Sequence, residues 1–380
     1  MTLEAWLDLL AHEMMHRKPA RPHVLLICEA VFMRNAKARA FLLGIGLAMA
    51  QGFCSASAQD AAKDPDLVAH GEYVAEAADC KLCHTSASGK PYAGGFKVDT
   101  PFGPIYSSNI TPDPKTGIGK WTFEDFKKAV HAGIRPDGEF LYPAMPFDSY
   151  TKIVDPDLEA LWAYLRTVPP AQEPTKANGL RFPFDIRESM IAWRWLFFDE
   201  GFFRLDENKG PLWNRGAYLV QALGHCGDCH TPRNFMGAQI RRRSLQGAKV
   251  GVWYAPDITS ETLRNTNKWD KPQLVKFLKK GNTGNSTALG PMRDVVHASL
   301  AHLTDHDLEA MATYLLNAGE TEPVVGQKES SEPSVPSEKA SQRGPRLYSD
   351  NCARCHKLNG EGIANVVPPL AGNPAVIAKS

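Results

Sequence analysis

Three five-residue patterns in this chain could each do redox chemistry: Cys80-Lys81-Leu82-Cys83-His84, Cys226-Gly227-Asp228-Cys229-His230 and Cys352-Ala353-Arg354-Cys355-His356. Thiols at i and i+3 lie on one face of a helical turn, where each can form a thioether to a haem vinyl group. The imidazole that follows then faces the iron as proximal ligand. With 8 Cys and 12 His in 380 residues, composition alone gives such a pattern about 0.005 times, so three occurrences signal three attachment sites for haem c. Structural zinc on paired Cys knuckles would want two pairs close together. Here the histidines of successive motifs are 146 and 126 residues apart. A redox disulfide of thioredoxin type lacks its surrounding context.

An iron held by a proximal His needs a ligand on its other face, and a Met thioether there raises the potential and makes an electron carrier. Met145, in Pro143-Ala144-Met145-Pro146, lies 61 residues after His84, and Met292, in Gly290-Pro291-Met292, lies 62 after His230. The matched spacing and the flanking prolines mark both as distal ligands in loops. Met236 is too near His230 to reach the opposite face, and Met190 and Met311 sit in helical patterns that read as core. Only 24 residues follow His356 and none is Met, so the third haem has no distal ligand in sequence and its domain is expected to be truncated.

The elements that must position these residues recur. Asn109-Ile110-Thr111 returns as Asp257-Ile258-Thr259, each 11 residues (Ile to Trp) ahead of Trp121 or Trp269, and Asp157-Leu158-Glu159-Ala160 returns as Asp307-Leu308-Glu309-Ala310. Ahead of the motifs, Gly71-Glu72-Tyr73 returns as Gly216-Ala217-Tyr218. Each unit is expected to run as a helix carrying the motif, an irregular loop, a middle helix capped by Thr122 or Asp270, a Met loop and a closing helix. That is a small all-α haem domain.

At the front, Arg34, Lys37 and Arg39 precede the apolar run from Phe41 to Ala50, and Ala56-Ser57-Ala58 ends it in a cleavage pattern. Residues 33–58 therefore read as a signal peptide, residues 1–32 as a doubtful N-terminal extension from a start codon assigned too early, and the mature chain as exported without a transmembrane helix. His12-Glu13-Met14-Met15-His16 matches the zinc-protease pattern but lies ahead of the signal and reads as chance. Cys54, after Phe53, fits lipid modification poorly. The balance of 43 Lys+Arg against 42 Asp+Glu argues against a nucleic-acid partner. No acid-base pair, nucleophile or phosphate loop emerges.

From about residue 66 to 380 the chain resembles the triple-haem cytochrome c subunit of bacterial membrane-bound dehydrogenases, those oxidising alcohols, gluconate, sorbitol or fructose. The resemblance rests on Thr100-Pro101-Phe102-Gly103 with Ile105 through Asp113, on Leu141-Tyr142-Pro143-Ala144-Met145-Pro146, on Trp213 through Val220, and on Gly224-His225 through Thr231-Pro232-Arg233-Asn234. The expected fold is all-α, tandem class I cytochrome c domains, two complete and the third truncated. Its parts are domain 1 at 66–170, an aromatic-rich segment at 171–209, domain 2 at 210–319, a flexible Ser/Glu/Pro-rich linker at 320–343 and a partial domain 3 at 344–380. The resemblance implies an electron carrier, not a catalyst. It would take electrons from a flavin- or quinone-cofactor dehydrogenase subunit and pass them to ubiquinone at the periplasmic face of the inner membrane, associating with the membrane surface in its full-length form. A free periplasmic shuttle, or a multihaem peroxidase or reductase with an open iron face, are the other readings. In residues 183–204, Trp193, Trp195, Phe197, Phe198, Phe202 and Phe203 read either as inter-domain packing or as a dock for the dehydrogenase.

Overall fold

A computed structural model describes residues 64–318, apart from 88 and 285, and 338–371, apart from 364–366 and 368. The extension, the signal peptide with its zinc-like match and most of the linker lie outside the described residues. No described helix is long and apolar enough to cross a membrane.

The first repeat begins with α1 (Pro65–Ala77), where Pro65 occupies the first helical turn and the Asp64 carboxylate accepts from the Asp66 and Leu67 amides, the N-terminal capping arrangement. There follow α2 (Cys80–Cys83), a hairpin of β1 (Lys97–Thr100) and β2 (Gly103–Tyr106), α3 (Phe123–Ala132), α4 (Phe147–Tyr150) and α5 (Asp155–Leu165). After α6 (Ser189–Phe197) the order returns. The second repeat has α7 (Pro211–Tyr218), running on through a π turn at Leu219–Leu223, then α8 (Gly227–His230), β3 (Ala248–Val250), β4 (Trp253–Ala255), α9 (Lys271–Lys280), α10 (Pro291–Ala298) and α11 (Asp305–Asn317). The capping expected of the middle helices is present in both. Thr122 and Asp125 form a reciprocal capping box on α3, as do Asp270 and Gln273 on α9, and Gly133 and Gly281 close the two helices at φ 62° and 67°.

The protein is largely helical, but "all-α" needs correction, because each repeat carries a two-stranded antiparallel hairpin in what was expected to be an irregular loop. These strands are only three or four residues long, too short for alternation to announce them. In the last part, α12 (Glu338–Asn351) begins inside the expected linker and runs past Gly344 into α13 (Ala353–His356).

The first and last helices of each repeat cross so closely that the crossing residue must be glycine. A Cβ at Gly71 would stand 1.9 Å from the Ala160 carbonyl oxygen, and one at Gly216 would stand 1.9 Å from that of Ala310. One continuous core then serves both repeats, from Val74 and Leu158 to Leu219 and Leu308. The repeats are also tied by an exchange of hydrogen bonds. Tyr73 of the first donates to Asp307 of the second at 2.6 Å, and Tyr218 of the second donates to Asp157 of the first at 2.6 Å. Arg215 clamps Asp307 through two bonds of 2.9 and 2.7 Å, and His70 donates to Asp157 at 2.7 Å.

The segment at 171–209 is a strap on the first repeat. The Gly179 and Arg181 amides donate to the Pro104 and Phe102 carbonyls, extending the edge of the hairpin. Helix α6 then splits the two readings of the aromatic stretch by face. Met190, Trp193 and Leu196 are buried, with Trp193 against Phe147 and its indole donating to Met236 O at 3.0 Å, whereas Ile191 and Trp195 are exposed.

Two expectations follow. Gly71→Ala or Gly216→Ala should destabilise the fold by about 1–3 kcal/mol, the cost of overpacking. Chemical denaturation checks this, and an unshifted midpoint would mean the helices part freely. The second concerns acid. Burial works to raise the Asp307 pKa, but hydrogen bonds from Arg215 and Tyr73 and the Arg215 charge outweigh it and hold the carboxyl below its ordinary value. Its folded pKa lies below its unfolded one, so its contribution is complete above the ordinary carboxylate range and fades as pH falls through the depressed value. Asp307→Asn should therefore flatten the acid limb of a stability profile, and an identical limb would refute this.

Candidate haem sites

Each of the first two motifs folds as a single helical turn, with the His84 and His230 amides donating back to the Cys80 and Cys226 carbonyls at 2.9 Å. All six cysteines of the three motifs are free thiols. Burial pushes the thiols of Cys80, Cys83 and Cys226 up to about 12 and that of Cys229 to about 11. The two thiol pairs stand within each other's electrostatic reach, since Cys229 acts on Cys83, and Asp79 of the first repeat acts on Cys226 of the second.

The imidazoles are held in the same way in both repeats. Nδ1 of His84 lies 2.7 Å from the Ser108 carbonyl oxygen, and Nδ1 of His230 lies 2.7 Å from that of Pro256. A carbonyl can only accept, so Nδ1 carries the proton and Nε2 keeps its lone pair for a metal. Burial lowers both histidine pKa values, which favours the neutral ring that ligation requires.

The repeated Asn-Ile-Thr and Asp-Ile-Thr, noted above without a role, fix these carbonyls. Asn109 Oδ1 accepts from the Thr111 amide and hydroxyl at 2.9 and 2.7 Å, and Asp257 Oδ1 accepts from those of Thr259 at 2.8 and 2.6 Å. Each turn begins one residue after the carbonyl that the histidine uses. From the other side, Gly94 and Gly247 donate to the His84 and His230 carbonyls at 2.7 and 2.8 Å. Thr85 and Thr231 each accept an amide, from Tyr92 at 3.2 Å and from Leu245 at 3.0 Å. Those two residues adopt φ of 63° and 62°, uncommon outside glycine. Sequence reasoning missed Ser108 and Pro256 because a main-chain acceptor has no side-chain signature. Their fixed place before the repeated Asx-Ile-Thr was the available signal.

Met145 lies in the expected loop and is half-buried against the common core, as is Met292. Met292, however, sits in the first turn of α10, because Pro291 starts a helix there. The segments meet across the repeats: α10 packs against the Cys80–Cys83 turn, and α4, just past Met145, packs against Leu219–Leu223 ahead of Cys226. Met311 and Met190 are buried in packing positions. The third motif keeps part of the pattern: the His356 amide donates to Cys352 O at 2.9 Å, and Gly362 N donates to His356 O at 3.0 Å, as Gly94 and Gly247 do. Lys357 stands where the other motifs have Thr, and Cys355 is exposed. Among the described residues no group of three or more His, Cys, Asp or Glu side chains converges as a metal site.

Neutral imidazoles, each following a thiol pair and bonded to a carbonyl through Nδ1, fit covalent haem and define a c-type cytochrome. The profile of the Cytochrome c family matches residues 214–319 and 341–377. The chain is 40% identical over 88% of its length to the cytochrome c subunit of the quinone-type alcohol dehydrogenase of Gluconobacter oxydans (strain 621H), covering 72% of that protein. It is 40% identical to the fructose dehydrogenase cytochrome subunit of Gluconobacter japonicus, over 80% of this chain and 67% of that one. With the gluconate 2-dehydrogenase cytochrome c subunit of Pantoea cypripedii it shares 38% identity over 84% and 75%. The chain belongs to this family of dehydrogenase cytochrome c subunits, electron carriers rather than catalysts, whose cofactor is covalently bound haem c.

Replacing the two Asx residues should separate their duties. Asp257→Ala removes only local turn bonds and should cost about 1 kcal/mol. Asn109→Ala also strips its amide from the Ala171 and Glu173 carbonyls of the strap, bonded at 2.7 and 3.2 Å, and should cost about 2–4 kcal/mol. Equal denaturation midpoints for the two variants would contradict this assignment.

Proposed function

We propose that this chain carries electrons from a dehydrogenase catalytic subunit, flavin- or quinone-dependent, by way of covalent haem c to membrane ubiquinone. It would do so after export, at the periplasmic face of the inner membrane. Cys80 with Cys83, Cys226 with Cys229 and Cys352 with Cys355 are the attachment pairs, and His84, His230 and His356 the proximal ligands. Met145 and Met292 are the distal ligands of the first two sites, in tandem class I cytochrome c domains. When bound, the haem supplies one-electron chemistry at iron. The chain's own residues fix the rings of His84 and His230 through Nδ1 and favour their neutral form.

The observation that carries this reading is the pair of equal Nδ1-to-carbonyl bonds at His84 and His230, found where the Cys motifs and the 61- and 62-residue Met spacings require them. The relatives' names, each a subunit of a dehydrogenase, favour a fixed partner over a free shuttle. The exposed Ile191 and Trp195 on α6 offer an apolar face to such a partner.

Met145→Ala and Met292→Ala should each remove one sulfur-to-iron absorption feature at the red end of the oxidised spectrum. Spectra unchanged in both variants would overturn the distal assignment, and a five-coordinate, peroxide-reactive iron in the unmodified protein would favour an enzyme instead. Purification of the native protein under mild detergent should bring a large dehydrogenase subunit with it, and isolation alone would favour the free shuttle.

A further inference from the structure

The residue immediately before the first cysteine is Asp79 in the first repeat and His225 in the second. These equivalent positions face each other. His225 Nε2 lies 4.0 Å from Asp79 Oδ2, beyond hydrogen-bond reach; Asp79 is buried and His225 half-buried. Among the described residues, Asp79 Oδ1 and His225 Nε2 have no hydrogen-bond partner. Both residues are also held in left-handed backbone, at φ 52° and 34°, a region few residues but glycine adopt, with Asp and His among the more frequent. Buried polar atoms without partners, placed between two haem-attachment turns, are a costly arrangement if they serve packing alone.

Other charges are arranged around the pair. His225 Nδ1 lies 3.4 Å from Asp228 Oδ2 and its ring stands edge-on to Tyr150, with centroids 5.4 Å apart. Asp228 is engaged through Oδ1 by Arg233 and Gln239, each at 2.8 Å. Asp148 and Lys152, from α4 and just beyond it, and Arg241 complete the titratable and charged groups that face this junction. Asp228 lies in the proximal-ligand turn and already has a cationic partner in Arg233. Among the described residues, the charge that lowers Asp79 is that of His225, and the Asp79 charge reaches the thiols of both motifs.

We propose that Asp79 and His225 form a proton-binding site that couples protonation to electron transfer: when an electron arrives at either of the first two haem sites, the Asp79 carboxylate takes a proton from solvent. This rests on the haem attachment proposed above. The balance is one electron, delivered by the dehydrogenase, and one proton. The proton joins a carboxylate oxygen, no bond to the cofactor forms or breaks, and both leave when the electron moves on. The physical reason is charge. An added electron removes one positive charge beside a buried carboxylate, which then holds a proton more firmly. Burial pushes Asp79 up to about 6, against a lowering by His225, so the coupling operates at and above that pH rather than in strong acid.

The test is a spectroelectrochemical titration of the purified, haem-loaded protein between pH 5 and 9. At least one of the two potentials should fall as pH rises through the window and level off beyond it. Asp79→Asn, isosteric and tolerant of left-handed backbone, should abolish that slope with the absorption spectrum intact. His225→Asn should move the window to higher pH, because the lowering influence is gone. A slope retained in Asp79→Asn, or a flat profile in the unmodified protein, overturns the proposal. If Asp79→Asn does not fold, a pH indicator in weakly buffered unmodified protein decides instead: proton uptake on reduction near pH 7 is expected, and none refutes the site. Loss of the haem spectrum itself would count against the haem assignment, a failure distinct from an intact spectrum with no pH effect.

Discussion

Everything around the first two motifs depends on one hydrogen bond per repeat, from the imidazole Nδ1–H to a main-chain carbonyl. A free histidine ring can turn and exchange tautomers, and only a fixed acceptor at Nδ1 keeps the opposite nitrogen aimed and unprotonated. That acceptor is useful only if its own peptide is rigid, which explains the Asx turns at Asn109 and Asp257. The left-handed Tyr92 and Leu245 lie across from those turns, their carbonyls accepting from the Ile110 and Ile258 amides at 2.9 Å.

The second constraint is the crossing of α1 with α5 and of α7 with α11. Gly71 and Gly216 bring the helices close enough for Tyr73 and Tyr218 to reach across to the other repeat. The phenols and carboxylates are thus shared between repeats, and the core between them is continuous. Placing the two thiol pairs within electrostatic reach of each other follows from that packing.

Much of this could be read in the sequence. The Cys and His positions, the duplicated Asx-Ile-Thr, and the caps Thr122 and Asp270 are signals written in side-chain identity, and the structure contains the caps where expected. What escaped reading depends on backbone or on distance. The hairpins are too short for a two-residue period to register. Met292 stands in the first turn of a helix rather than in a loop, since proline is favoured at a helix start. Helix α6 offers apolar residues on both faces, so composition alone could not tell its buried Trp193 from its exposed Trp195. Asp79 and His225 are unlike residues at equivalent positions, and only their meeting in three dimensions marks them.

The exchange of tyrosines between repeats bears on ancestry. Were the second repeat cut away, Tyr73 would lose Asp307 and Asp157 would lose Tyr218, and half of a shared apolar interior would face water. A single repeat is therefore not a unit that recombination could move between genes intact. The smallest transferable piece is the pair.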